Sequence, residues 1–137
     1  MALKAYSLAK DGSKKLSTNF AVKEFRCKDG TDPIFIDDAL VKLLQNIRDH
    51  FGKAVTITSA YRTAAHNKAV KGATYSQHCY GMAADIRVQG VDVETVAAYA
   101  ETLLKNTGGI GRYPVKTGRP AGWVHIDTRA AKSRWVG

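Results

Sequence analysis

The chain has 137 residues, enough for one domain with a hydrophobic core, and its 45% hydrophobic and 24% charged residues are typical of a globular protein. Its 21 Lys and Arg against 12 Asp and Glu give a net charge of +9, which favours an anionic partner such as nucleic acid, a membrane surface or a cell-wall polymer. The basic residues are scattered without an aromatic-interleaved RNA-binding motif, so a specific nucleic-acid partner is disfavoured. No stretch approaches the roughly 20 apolar residues of a membrane span, and residues 1–7 lack the apolar segment of a secretory signal.

Residues 1–18 are polar and rich in lysine and serine, which predicts an N-terminal arm that adds an edge strand, followed by a single domain over residues 19–137. The first helix follows Ile36, with Asp37 as its N-cap and Gly52 as its stop. Its apolar residues recur at helical spacing: Leu40, Leu43, Leu44, Ile47 and Phe51.

Strands and helices then alternate irregularly. The pattern predicts strands over 54–59, 82–88, 110–113 and 122–127, a short helix over 63–70, and an amphipathic helix that Asp92 caps and that ends before Gly108. Because no regular βαβ repeat occurs, we expect an α+β fold: a small antiparallel sheet with helices packed on one face.

Three residues with metal-binding side chains lie in two separate segments: His78 and Asp85 in one, His125 in the other. Two imidazoles and a carboxylate suit one zinc ion per chain and leave a fourth position open for water, as in catalytic sites. A polar sheet face would explain one histidine alone. The three residues together favour a site, because Gly81, between His78 and Asp85, permits close backbone approach. His125 and Asp127, two apart on a predicted strand, share a face.

The segment Ser76-x-His78-x-x-Gly81-x-Ala83-x-Asp85 resembles the SxHxxGxAxD motif of the zinc D-Ala-D-Ala carboxypeptidases and L-alanyl-D-glutamate endopeptidases, which share a fold with the hedgehog signalling domain. The resemblance extends over nearly the whole chain from residue 19, through segments 19–27, 59–67, 109–113 and 124–135.

The resemblance implies zinc ligands at His78, Asp85 and His125, and it implies that Arg62 binds a substrate carboxylate or polarises a carbonyl. Arg62 suits that role because it follows a strand end and because guanidinium binds carboxylate bidentately.

Other residues near this motif are candidates for binding substrate. Ser76 and Gln77 either donate to substrate or hold the His78 loop, and Tyr113 either contacts substrate or packs. His66 is predicted to be a hydrogen-bonded structural histidine. Cys79 lies beside His78, as in a cysteine peptidase, although this is a weak signal.

The residue that acts as general base in many relatives, an acid three positions before the last histidine ligand, is here Gly122. Asp127 is the leading alternative as a catalytic base, with Glu24 behind it. A carboxylate two residues from a ligand histidine also suits a role in orienting another ligand or Arg62, and for Asp127 this role is favoured over that of a base.

Three functions compete. The first is a monomeric zinc peptidase that cleaves peptidoglycan stem peptides or cross-links and is held by its basic surface to the anionic wall. Without a secretory signal, it would be a phage or prophage lysin, cytoplasmic until released. The second is a non-catalytic zinc-containing cell-wall-binding module of the same fold, and the third is a basic nucleic-acid-binding domain.

Overall fold

The structure is a computed structural model that describes residues 3–137. In chain order the strands are β1 (Leu3–Tyr6), β2 (Lys15–Ser17), β3 (Phe20–Ala21), β4 (Ile34–Asp37), β5 (Val55–Ser59), β6 (Ala83–Val88), β7 (Gly109–Tyr113), β8 (Trp123–Asp127) and β9 (Ser133–Val136). The α-helices are α1 (Leu8–Asp11), α2 (Asp38–Phe51), α3 (Ala64–Ala69) and α4 (Val93–Leu104), and two 3₁₀ helices cover Val22–Phe25 and Gln77–Tyr80.

The central sheet has five strands in the order β5-β6-β8-β7-β9. Neighbouring strands are antiparallel except β9, which lies parallel to β7 at the edge. The α+β fold class is confirmed. The central sheet also contains the parallel edge strand β9, which the sequence pattern did not predict. The register of β6 on β8 places Asp85 directly opposite His125.

Helices α2 and α4 both pack on the central sheet, α2 against β6 and α4 against β7 and β8. The predicted caps are confirmed: the side chain of Asp37 accepts the N–H of Ala39, and Asp92 accepts that of Thr95. Gly52 ends α2 in the left-handed conformation at φ 61°, where glycine has no steric penalty.

One hydrophobic core lies between these layers, because the apolar stripe of each helix is buried against the apolar face of the sheet. Its fully buried larger side chains include Phe20, Phe25, Ile34, Ile36, Leu40, Leu44, Ile47, Ile86, Ile110 and Ile126.

The predicted N-terminal arm is anchored to the rest of the chain. Strand β1 pairs with β4 in a two-stranded sheet separate from the central one. The carboxylate of Asp32 accepts hydrogen bonds from Ser7 and Leu8. The division of the chain at residue 19 stays a prediction. None of the helices between residues 3 and 137 is long and apolar enough to cross a membrane.

Candidate metal centre

Three donor atoms converge at the middle of the central sheet. Asp85 in β6 and His125 in β8 are cross-strand partners, and His78 approaches from the 3₁₀ helix Gln77–Tyr80. Oδ1 of Asp85 lies 3.3 Å from Nε2 of His78 and 3.1 Å from Nδ1 of His125. All three side chains are buried, and their donor atoms lie within 4.8 Å of one another.

His78 is held by its own short helix. The hydroxyl of Ser76 accepts the N–H of His78, and Gly81 ends the helix at φ 70°. A Cβ on Gly81 would lie 2.5 Å from the carbonyl oxygen of Phe35, so only glycine lets the chain turn here. Nδ1 of His78 lies 2.7 Å from the carbonyl oxygen of Ala60, an acceptor only, so Nδ1 carries the proton and Nε2 is left to bind a metal.

His125 is oriented in the same way by Asp127. Its Nε2 donates to Oδ2 of Asp127 at 2.7 Å, which leaves Nδ1 directed at Asp85. The Asp127 carboxylate is fully buried and also accepts from the backbone N–H of Gly109 at 2.9 Å and from the guanidinium of Arg129 at 2.8 and 2.6 Å. Burial opposes ionisation of Asp127, but the hydrogen bonds from His125 and Arg129 outweigh it and keep its pKa below the ordinary value.

The charges at the centre favour a cation. Burial opposes ionisation of Asp85, but its interactions with the rings of His125 and His78 prevail and lower its pKa. Burial also opposes protonation of His125, but Asp127 and Asp85 outweigh burial and raise its pKa. The carboxylates of Asp85 and Asp127 thus both face the imidazole of His125. Two imidazole nitrogens and one carboxylate oxygen, with the second nitrogen of each ring already hydrogen-bonded, fit zinc.

The centre opens into a cleft of about 470 Å³. The cleft brings together every predicted ligand and substrate-binding residue. It is lined by Arg62, Val70, Lys71, Gly72, Ala73, Tyr75, Ser76, Gln77, His78, Asp85, Tyr113, Trp123, His125, Arg129 and Trp135. Asp127 does not line it and lies behind His125. Glu24 does not line it either, and its carboxylate accepts the N–H of Ala21.

Arg62 lies at the rim of the cleft with three of its nitrogens engaged. Nε donates to the hydroxyl of Ser59 at 3.1 Å and one terminal nitrogen to Oδ1 of Asn67 at 3.3 Å. The other terminal nitrogen is 3.6 Å from Oδ2 of Asp85. The guanidinium is therefore held beside the three donor atoms.

Sequence reasoning assigned no site role to Arg129 or Trp135, although both fall in the segments that carry the resemblance. The Trp135 ring lies 4.9 Å from that of His125, and its indole N–H donates to the Tyr113 hydroxyl at 2.8 Å. Gly111 makes room for this indole, since a Cβ there would lie 2.5 Å from a Trp135 ring atom. The sequence pattern did not predict strand β9, and the pairing of β9 with β7 is what brings Trp135 to the site.

Gly122 has no space for a side chain. A Cβ there would lie 2.5 Å from the carbonyl oxygen of Tyr113 and 2.8 Å from the side chain of Val93. Its own carbonyl accepts a hydrogen bond from Arg87 at 2.9 Å. Among the residues that line the cleft within the described chain, Asp85 is the only acid.

The two cysteines do not pair with each other: Cys27 is buried and Cys79 half-buried, and both are free thiols. Burial raises the pKa of the Cys79 thiol, so the thiol beside His78 stays protonated at neutral pH. Such a thiol is poorly suited to act as a nucleophile.

A sequence model of the Peptidase M15 family matches residues 15–127. A curated relative, the probable peptidoglycan L,D-endopeptidase MepK of Haemophilus influenzae, is 30% identical over 110 residues, which cover 74% of this chain and 55% of that protein. The chain thus spans about half the length of this relative.

Proposed function

Because the chain belongs to the Peptidase M15 family, we propose that it is a zinc-dependent peptidase that hydrolyses amide bonds in peptidoglycan stem peptides or cross-links. The observation that carries the proposal is the convergence of His78, Asp85 and His125 at the base of a cleft. The name of the Haemophilus influenzae relative supports the same substrate class.

The proposed ligand atoms are Nε2 of His78, Oδ1 of Asp85 and Nδ1 of His125, the atoms that face one another. Zinc bound there would acidify a water molecule and polarise the carbonyl of the scissile amide. The carbonyl of Ala60 and the carboxylate of Asp127 set the tautomer of each histidine, so the two free nitrogens point inward without rearrangement.

The rim of the cleft suits an acidic peptide. Arg62 and Lys71 bring positive charge to the cleft, and stem peptides carry free carboxylates. Gln77, Tyr113 and Ser76 offer further hydrogen-bonding groups beside them. The hydroxyls of Tyr113 and Ser76 each accept one bond within the protein and keep their own O–H to donate. The net charge of +9 would hold the protein to an anionic wall by attraction that weakens with salt.

For Asp127 we propose a positioning role. Its carboxylate is fully buried and accepts from His125, Arg129 and Gly109, so it has no free path to water in the cleft. It acts by holding the ring of His125 and by keeping Nδ1 unprotonated when a metal binds.

The second candidate function, a non-catalytic zinc-containing module that binds the wall, is favoured by one observation. Gly122 leaves no carboxylate at the position of the general base in many relatives, and the acid that lines the cleft is already a proposed ligand. Such a module would bind peptidoglycan through the same rim without turning it over.

Digestion of purified peptidoglycan followed by mass spectrometry of the released muropeptides separates the two functions. We expect soluble peptide fragments from the zinc-loaded protein, and background levels after chelation or in His125→Ala. The matched control is His50→Ala, because the His50 ring stacks on Tyr99 and does not line the cleft. Zinc that is bound at the cleft centre, and is lost in His125→Ala, with no new amine termini would refute the peptidase and leave the binding module.

The masses of the fragments also identify the bond that is cleaved, and so distinguish a carboxypeptidase from an endopeptidase. The origin from a phage or prophage lysin stays a prediction.

A further inference from the structure

A second group of metal-binding side chains lies outside the cleft. Cys27, Asp29 and His66 place a sulfur, a carboxylate oxygen and a ring nitrogen within 4.8 Å of one another. Cys27 and Asp29 belong to a tight turn closed by the bond from the N–H of Gly30 to the carbonyl of Cys27. His66 lies in the first turn of α3. None of the three lines the cleft.

Thr63 joins the three residues of this cluster. Its backbone N–H points at Sγ of Cys27 at 3.5 Å, and its hydroxyl donates to Oδ2 of Asp29 at 2.9 Å. The same hydroxyl caps α3 by accepting the N–H of His66 at 3.1 Å. The backbone N–H of Thr63 would remain a hydrogen-bond donor to the sulfur when a metal is bound, as partners of metal ligands commonly do.

The burial of the cluster favours metal binding over nucleophilic chemistry. Cys27 is 0% exposed, so a substrate has no access to its sulfur, whereas Asp29 is exposed and His66 half-buried. A small ion can approach from the side of Asp29 and His66, with the sulfur at the base of the site. Thiolate, imidazole and carboxylate together suit zinc and cobalt rather than calcium or magnesium.

We propose that Cys27, Asp29 and His66 bind one divalent transition-metal ion of the zinc class, at a structural site separate from the centre at His78, Asp85 and His125. Binding forms a metal–sulfur bond and breaks the S–H bond of Cys27, whose proton leaves to solvent. The fourth position falls to water or to the hydroxyl of Thr63.

This site would brace the segment that carries Arg62. The N–H of Tyr61 donates to the carbonyl of Phe25, and Arg62 lies between Tyr61 and Thr63. A metal bound by Cys27, Asp29 and His66 would tie the Cys27 turn to α3 and so limit the movement of Arg62. The proposal does not depend on catalysis at the cleft.

Cobalt distinguishes the two sites by spectroscopy, because a thiolate bound to Co²⁺ gives a sulfur-to-metal charge-transfer band and the cleft centre holds no sulfur. The full chain, stripped of metal by chelator, is titrated with Co²⁺ while absorbance and bound metal are followed. We expect two bound ions per chain and a charge-transfer band that zinc abolishes by displacement. His125→Ala should lose one ion and keep the band.

Matched cysteine variants identify the sulfur ligand. We expect Cys27→Ser to lose the band and Cys79→Ser to keep it. Because Cys27 is buried, Asp29→Asn provides a second test at an exposed position, and it should weaken the affinity that the band reports at least tenfold. Absence of the band in the unmodified protein, its persistence in Cys27→Ser, or an unchanged affinity in Asp29→Asn would each overturn the proposal.

Discussion

His125 donates from Nε2 to the buried carboxylate of Asp127 at 2.7 Å, and this bond determines which nitrogen of the ring faces Asp85. Asp127 is in turn held by the backbone N–H of Gly109 and by two nitrogens of Arg129. The proposed ligand is therefore held by a series of hydrogen bonds that runs from Arg129 through Asp127 to the candidate metal centre.

Replacing Asp127 by Asn removes the charge that fixes His125 while preserving the size of the side chain. We expect zinc affinity to fall about 10- to 100-fold, measured by competition with a chromogenic chelator. Asp49→Asn, an exposed acid on α2, serves as the control. Unchanged zinc affinity together with lost turnover would instead make Asp127 the base.

Introducing Glu at position 122 tests whether the missing acid limits activity. Because a Cβ there meets the carbonyl oxygen of Tyr113 at 2.5 Å, we expect Gly122→Glu to lower the free energy of unfolding by about 1–3 kcal/mol and to leave turnover no higher. Urea unfolding and peptidoglycan digestion measure the two effects. Gly122→Ala is the control, because it adds the same Cβ and its steric cost without the charge. A gain in turnover in the Glu variant alone would show that the site does accept a base there.

Arg62→Lys keeps the positive charge but loses the fork that contacts Ser59 and Asn67. We expect kcat/KM on stem peptides to fall about 10- to 100-fold, mainly through KM, with bound zinc unchanged. Steady-state kinetics on a soluble stem peptide and metal analysis are the measurements. Arg48→Lys in α2, remote from the cleft, should behave like the unmodified protein, and equal kinetics in Arg62→Lys would remove Arg62 from substrate binding.

Glu101 in α4 is paired with Arg134 in the edge strand β9, and this pair makes the stability of the fold depend on pH. Burial opposes its ionisation, but Arg134 at 2.6 Å and Arg112 outweigh burial and hold its pKa below the ordinary value of 4.5. A carboxyl whose pKa is lower when folded stabilises the fold above its unfolded pKa, and this contribution disappears as pH falls through the folded pKa.

Glu101→Gln should therefore be less stable than the unmodified protein near pH 7, by about 1 kcal/mol, and the difference should vanish in strong acid. Thermal unfolding from pH 7 down to pH 2 measures it. Glu94→Gln is the control and should show a smaller effect, because the side chain of Glu94 is 72% exposed. A difference that stays constant over this range would mean that the charge of Glu101 is not the cause.

Much of the fold could be predicted because its signals are local. Asp37, Gly52 and Asp92 mark helix ends through contacts within a few residues, and the apolar spacing of α2 needs no distant partner. Strand β9 was not predicted because its pairing with β7 joins residues about 24 positions apart, and its four residues are too few to show a strand pattern by themselves.

The residues that supply the proposed donors can be identified from the sequence alone: a motif carries His78 and Asp85, and a strand carries His125. Which ring nitrogen each histidine turns inward cannot be read from the sequence, because Ala60 and Asp127 set this through hydrogen bonds that depend on the packed sheet. The same holds for Cys27 and His66, which are 39 positions apart and meet only when α3 packs beside the turn. Residue type follows from the sequence, whereas the direction in which a donor points depends on contacts that form only on folding, some of them between distant segments.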